Sequence, residues 1–206
     1  MKRAEVSQKS RVAMLATLLL LLAICPAPAE AHLNSTGMGP IYDGFLHFLL
    51  SPEDIVPVVA LALFAGLRGK AYGRRALFLL PACWFVGCLI GATATRTIAF
   101  PLPAVSFLVF GGLVTANVEL SLRVTSLLAA IFGLFHGYLN GAGMRFTPVL
   151  FVAYLGLVTA IFILMALVSA FVIRLRPPWT HIAVRVAGSW IVASGLLMLG
   201  WAVRKN

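Results

Sequence analysis

The sequence predicts an all-α protein: a polytopic membrane bundle of six transmembrane helices behind a cleaved signal peptide. Three observations carry that expectation. Of 206 residues, 61% are hydrophobic and only 11% charged, where a soluble domain has about 25% charged residues. The mean hydropathy is +1.01. The apolar residues fall into long runs separated by short basic turns, and inside a bilayer such runs must be helical, because a helix satisfies its own backbone groups. The same observations exclude a soluble globule, a disordered tail and a disulfide scaffold. The net charge of +10 is explained by membrane topology, so no nucleic-acid partner is expected.

Residues 1–31 read as the signal peptide. Lys2, Arg3, Lys9 and Arg11 precede the apolar run Val12–Cys25, which is shorter than the roughly 20 residues a spanning helix needs. Pro26-Ala27-Pro28-Ala29-Glu30-Ala31 ends in a small-x-small triplet, which places cleavage after Ala31. Cys83 and Cys88 remain in the mature chain, five residues apart. That spacing matches no redox motif, so they are expected to be small packing residues.

Residues 32–206 form one domain with a short outer-face segment, 32–51. The six spans are expected at Pro52–Leu67, Ala76–Ala94, Pro103–Leu120, Val124–Asn140, Pro148–Ile173 and Ile182–Val203. The turn Arg68-Gly69-Lys70-Ala71-Tyr72-Gly73-Arg74-Arg75 carries four positive charges and belongs in the cytoplasm. Alternation then places Arg123, Arg174, Arg176 and Arg185 inside too, and Arg96, Arg145, Arg204 and Lys205 outside. This predicts a multi-pass protein of a bacterial inner membrane with a periplasmic N-terminus. Gly87/Gly91 and Gly133/Gly137 share helix faces at a spacing of four, which lets helices approach closely.

Ionisable groups concentrate at the outer ends of the first and fourth spans. Asp43 and His47 are one helical turn apart, so they share a face of a short apolar helix. A carboxylate there can orient a metal-bound imidazole or ligate beside it. Ser51-Pro52-Glu53-Asp54 is a helix-start signal, with Ser at the N-cap, Pro at the first position and two acids in the first turn. Capping explains much of it. On one continuous helix His47 and Asp54 would stand about 10 Å apart along the axis, and a bend at Ser51-Pro52 could bring them together. In the fourth span His136 and Asn140 are again one turn apart and offer a mixed nitrogen and oxygen donor pair. His32 becomes the N-terminal residue after cleavage, where its α-amine and ring can chelate one ion. The expected metal ligands are therefore His32, Asp43, His47, Glu53, Asp54, His136 and Asn140. Glu119 is expected to pair with Arg123 at the surface, and His181 to lie at the interface.

Ala31-His32, Gly44-Phe45-Leu46-His47 leading to Glu53-Asp54, and Phe135-His136-Gly137-Tyr138 together resemble the hydrogenase/urease accessory membrane proteins, the HupE/UreJ family. The resemblance implies a signal peptide followed by six spans, and uptake of nickel or cobalt serving urease or hydrogenase maturation, whose proteins become candidate partners beside the lipid bilayer. The sequence departs from the family's motifs at particular positions. The first motif is His, five residues, then Asp-His; here His47, Glu53 and Asp54 occupy it. The second reads His-Gly-x-Ala-His-Gly-x-Glu; here His136 is kept, Asn140 stands for the second His and Gly143 for the Glu. Two imidazoles have become oxygen donors, which suit a harder ion.

The expected function is passage of a divalent metal, nickel first, from the outer groups to His136 and Asn140. The metal is cargo, and no enzyme is expected. One alternative is a non-transporting accessory scaffold or metal sensor; a polar file through Thr93, Thr95, Thr115, Asn117 and Thr125 would speak for transport instead. A remote alternative is an intramembrane protease using Ser194, although the Gly-x-Ser-Gly nucleophile motif is missing.

Overall fold

A computed structural model describes residues 36–94, 102–142 and 147–204. The expected signal peptide and His32 lie outside them. The described residues form seven helices and no strand: α1 Pro40–Leu50, α2 Pro52–Arg68, α3 Lys70–Gly91, α4 Leu102–Ala116, α5 Leu122–Gly141, α6 Pro148–Ile173 and α7 Pro178–Arg204. Each expected span has its helix among α2 to α7. Four of them (α3, α5, α6 and α7) are long and apolar enough to cross a membrane alone, and α1 with α2 makes a fifth, bent candidate. At 15 residues, α4 is about 22 Å long, short of a hydrocarbon core of about 30 Å. The chain is an integral membrane protein of all-α class.

The connections are tighter than the sequence suggests. The basic stretch 68–75 was expected as an eight-residue turn, yet Gly69 is its only non-helical residue. Gly69 takes φ +104°, a conformation costly for any residue with a Cβ, and Lys70, Arg74 and Arg75 sit in the first turns of α3. The α4 helix stops at Asn117, whose φ is +51°; Val118 N–H returns to Leu113 O, a capping pattern that leaves asparagine where glycine is usual.

Glycines bring the helices together, since lipid removes the usual hydrophobic drive for helix association. A Cβ on Gly137 would stand 2.0 Å from Trp84 O, and one on Gly141 2.2 Å from Cys88 O. Gly87 and Gly91 return the favour against Leu134 O and Tyr138 O at 2.3 and 2.2 Å. The α3–α5 seam is thus backbone on backbone, as the spacing of four predicts. Gly111 and Gly188 bring α4 and α7 together in the same way. Gly44 on α1 meets Ala153 O of α6, and Gly156 of α6 meets Ile41 O; α1 therefore crosses α6 before the chain bends by 75° into α2.

Successive spans run antiparallel, giving the bundle two chemically different ends. At the basic end Arg68 bonds Asn117 and pairs with Glu119 at 3.7 Å, Tyr72 Oη donates to Leu120 O, and Arg185 donates to Thr115 O. Glu119 thus takes Arg68, and not the expected Arg123, because α2 packs against α4 and brings its last residue, Arg68, to the end of that helix. At the opposite end the start of α2 and of α4 meet the last turns of α3 and α5. Phe48, Leu80, Trp84, Leu61, Ile161 and Met165 fill the core between them.

Candidate functional site

The α2 helix begins at Ser51 and Pro52, but the hydroxyl of Ser51 does not cap it. Ser51 Oγ instead donates to His47 O at 2.7 Å, closing the last turn of α1. The first-turn acids are consequently not both caps. Glu53 is partly exposed, whereas Asp54 is buried, with 3% exposure. Burying a carboxylate is costly unless it is bonded, and Asp54 has two donors. His136 Nδ1 lies 2.9 Å from Asp54 Oδ1, and Asn140 Nδ2 donates to Asp54 Oδ2 at 2.9 Å. The one-turn spacing of His136 and Asn140 puts both on the α5 face that meets α2.

The imidazole is held on its other side too. His136 Nε2 is 2.8 Å from Ser106 Oγ of α4. A carboxylate can only accept, so Nδ1 carries the proton; in the neutral ring Nε2 then accepts from the serine hydroxyl. His136 is enclosed between Phe132 and Trp84, with ring centroids 4.5 and 5.2 Å away. Trp84 reaches it because Gly137 lets α3 and α5 touch. Three helices thus bring Asp54, His136, Asn140 and Ser106 into one buried polar cluster within an apolar bundle.

The cluster is incompletely satisfied. Asn140 Oδ1, Trp84 Nε1 and Tyr154 Oη are buried without a hydrogen-bond partner among the described residues. Buried polar atoms usually have one. Asn140 Oδ1 belongs to the cluster itself, and Trp84 lies against it.

The other expected ligands stand apart. Asp43 accepts from Thr36 N and Thr36 Oγ1 at 2.6 and 2.7 Å. The bend between α1 and α2 exists, yet no hydrogen bond or ion pair among the described residues joins His47 or Glu53 to Asp54. No three His, Cys, Asp or Glu side chains group closely enough to hold a metal among the described residues. Nor do the described members of the polar file that would speak for transport over a scaffold bond to one another. Thr93, Thr115 and Thr125 each donate to a carbonyl of their own helix or its cap, Asn117 takes Arg68, and Thr95 lies outside the described residues. Ser194 donates to Trp190 O and takes no part in the cluster. Ser106 and Trp84 were not legible as site residues: one serine and one tryptophan in apolar helices carry no local pattern.

The family model described as HupE / UreJ protein matches residues 19–198 of the chain. No curated protein and no solved structure matches it.

Proposed function

We propose, from the premise that this chain belongs to the HupE/UreJ family, that it carries a divalent first-row metal ion, nickel foremost, across a bacterial inner membrane for urease or hydrogenase maturation. The family is linked to hydrogenase and urease accessory function. The observation that carries the proposal is the buried meeting of Asp54, His136 and Asn140. An ionisable pair inside a membrane bundle is expensive to keep and ordinarily marks a transport path.

The donor set fits a passing ion. Asn140 Oδ1 adds an oxygen that nothing else uses. One imidazole, one carboxylate and one amide hold an ion less firmly than a closed cage of thiolates and imidazoles, and a carrier needs weak binding so that the ion leaves. The oxygen-rich set also admits cobalt or a harder ion. An ion taking Nδ1 of the neutral ring shifts its proton to Nε2, which then donates to Ser106 Oγ in place of accepting from it. With the basic end facing the cytoplasm, the cluster lies toward the periplasmic end of the bundle, and His32, Asp43, His47 and Glu53 are the groups that would first attract the ion.

Purified chain in vesicles loaded with a metal-sensitive dye provides the test. Nickel entry is expected in the wild type and lost in both Asp54→Ala and His136→Ala. Entry at the wild-type rate in either variant overturns the proposal, and binding without entry favours the accessory scaffold.

A second reading rests on the same distances. Asp54, His136 and Ser106 follow the order of a Ser-His-Asp relay. Transport is favoured because Phe132 and Trp84 enclose the ring, and Ser106 is 5% exposed. Labelling of Ser106 by a serine-reactive fluorophosphonate would reverse that preference.

A further inference from the structure

At the basic end, the residues bordering α3 and α6 form a cavity of about 710 Å³ lined by Lys70, Ala170, Ile173, Arg174 and Arg176. Its chemistry differs from that of the neighbouring cations. Arg68 is engaged by Asn117 and Glu119, and Arg185 by Thr115 O. Lys70, Arg174 and Arg176 are exposed and have no acidic partner among the described residues. Three cations around one hollow repel each other and leave an uncompensated positive potential.

The apolar wall gives the second half of the argument. Leu167, Ala170, Phe171 and Arg174 recur at helical spacing on α6, so they form one stripe ending in the cation. Leu167 and Phe171 are 65% and 64% exposed. A stripe of that kind suits a hydrocarbon chain whose charged head rests on Arg174. A free phosphate would satisfy the cations but leave the stripe unused.

We infer that this cavity binds the phosphate headgroup of an anionic phospholipid, with Lys70, Arg174 and Arg176 on the phosphate and an acyl chain along Leu167 and Phe171. Basic pockets between membrane helices recognise such headgroups. The site lies at the end of the bundle opposite Asp54 and His136 and does not depend on metal carriage.

The test is native mass spectrometry of the full chain in a neutral detergent, titrated with phosphatidylglycerol, with phosphatidylcholine of the same acyl chains, and with inorganic phosphate as competitor. Phosphatidylglycerol is expected to be retained in preference to phosphatidylcholine. Arg174→Gln and Arg176→Gln should each weaken that retention about five-fold, the effect of one charge near a membrane surface. Arg123→Gln, which removes an exposed charge at the same end but outside the cavity, should leave it unchanged. Equal retention of the two lipids, or an equal loss in Arg123→Gln, overturns the inference. Displacement of the lipid by millimolar phosphate assigns the site to a free anion and also overturns it.

Discussion

Asp54 sets the character of the site. It accepts from both His136 and Asn140, so its replacements should separate charge from hydrogen bonding. In Asp54→Asn the new amide keeps an acceptor for His136, and Asn140 can turn its unused oxygen toward the new donor. In Asp54→Ala both donors are stranded, at about 1–3 kcal/mol for each buried group. Thermal unfolding in detergent should therefore show Asp54→Ala well below Asp54→Asn, with both losing metal binding by calorimetric titration. Equal unfolding temperatures for the two would mean that the cluster does not hold the fold. Sequence alone made Asp54 a plausible ligand, but capping competed, because first-turn acids usually serve the helix end. Choosing between the two roles required knowing that α5 delivers two donors from 82 and 86 residues away.

At the scale of helices, legibility follows locality. Span positions were readable because hydropathy is a property of contiguous residues, and the close-packing faces of α3 and α5 because a spacing of four puts glycines on one side, although not that these two faces meet each other. The Gly69 turn was misjudged since basic residues in a turn and in the first helical turns look alike in composition. Pairings of non-adjacent helices, such as α2 with α5 or α1 with α6, leave no such trace. The seam gives a direct prediction. Gly137→Ala must push Trp84 O away from 2.0 Å, and overpacking of this kind costs about 1–3 kcal/mol. Gly112→Ala, with nothing within 4 Å of the added carbon, should be neutral or mildly stabilising. The two melting curves should differ clearly. Their coincidence would show that α3 and α5 are not in backbone contact.

For the whole molecule, asymmetry between the ends matters most. One end gathers arginine and lysine, and the other gathers the buried acid and imidazole. With the basic end cytoplasmic, Lys70→Cys in a background with Cys25, Cys83 and Cys88 replaced by Ala should react with a membrane-impermeant maleimide only after the cells are opened. Met38→Cys, 60% exposed and just before α1, should react in intact cells. The reverse pattern would invert the orientation and with it the direction proposed for the ion.

Trp84 also makes the bundle its own optical instrument. Trp179, Trp190 and Trp201 are 66%, 72% and 62% exposed, whereas Trp84 is fully buried beside His136. Brominated lipids should extinguish the emission of the three outer indoles and leave a blue-shifted remainder from the fourth. A paramagnetic ion such as nickel or cobalt, arriving at the neighbouring imidazole, should then dim that remainder alone, so that occupancy could be followed by fluorescence in the unlabelled protein.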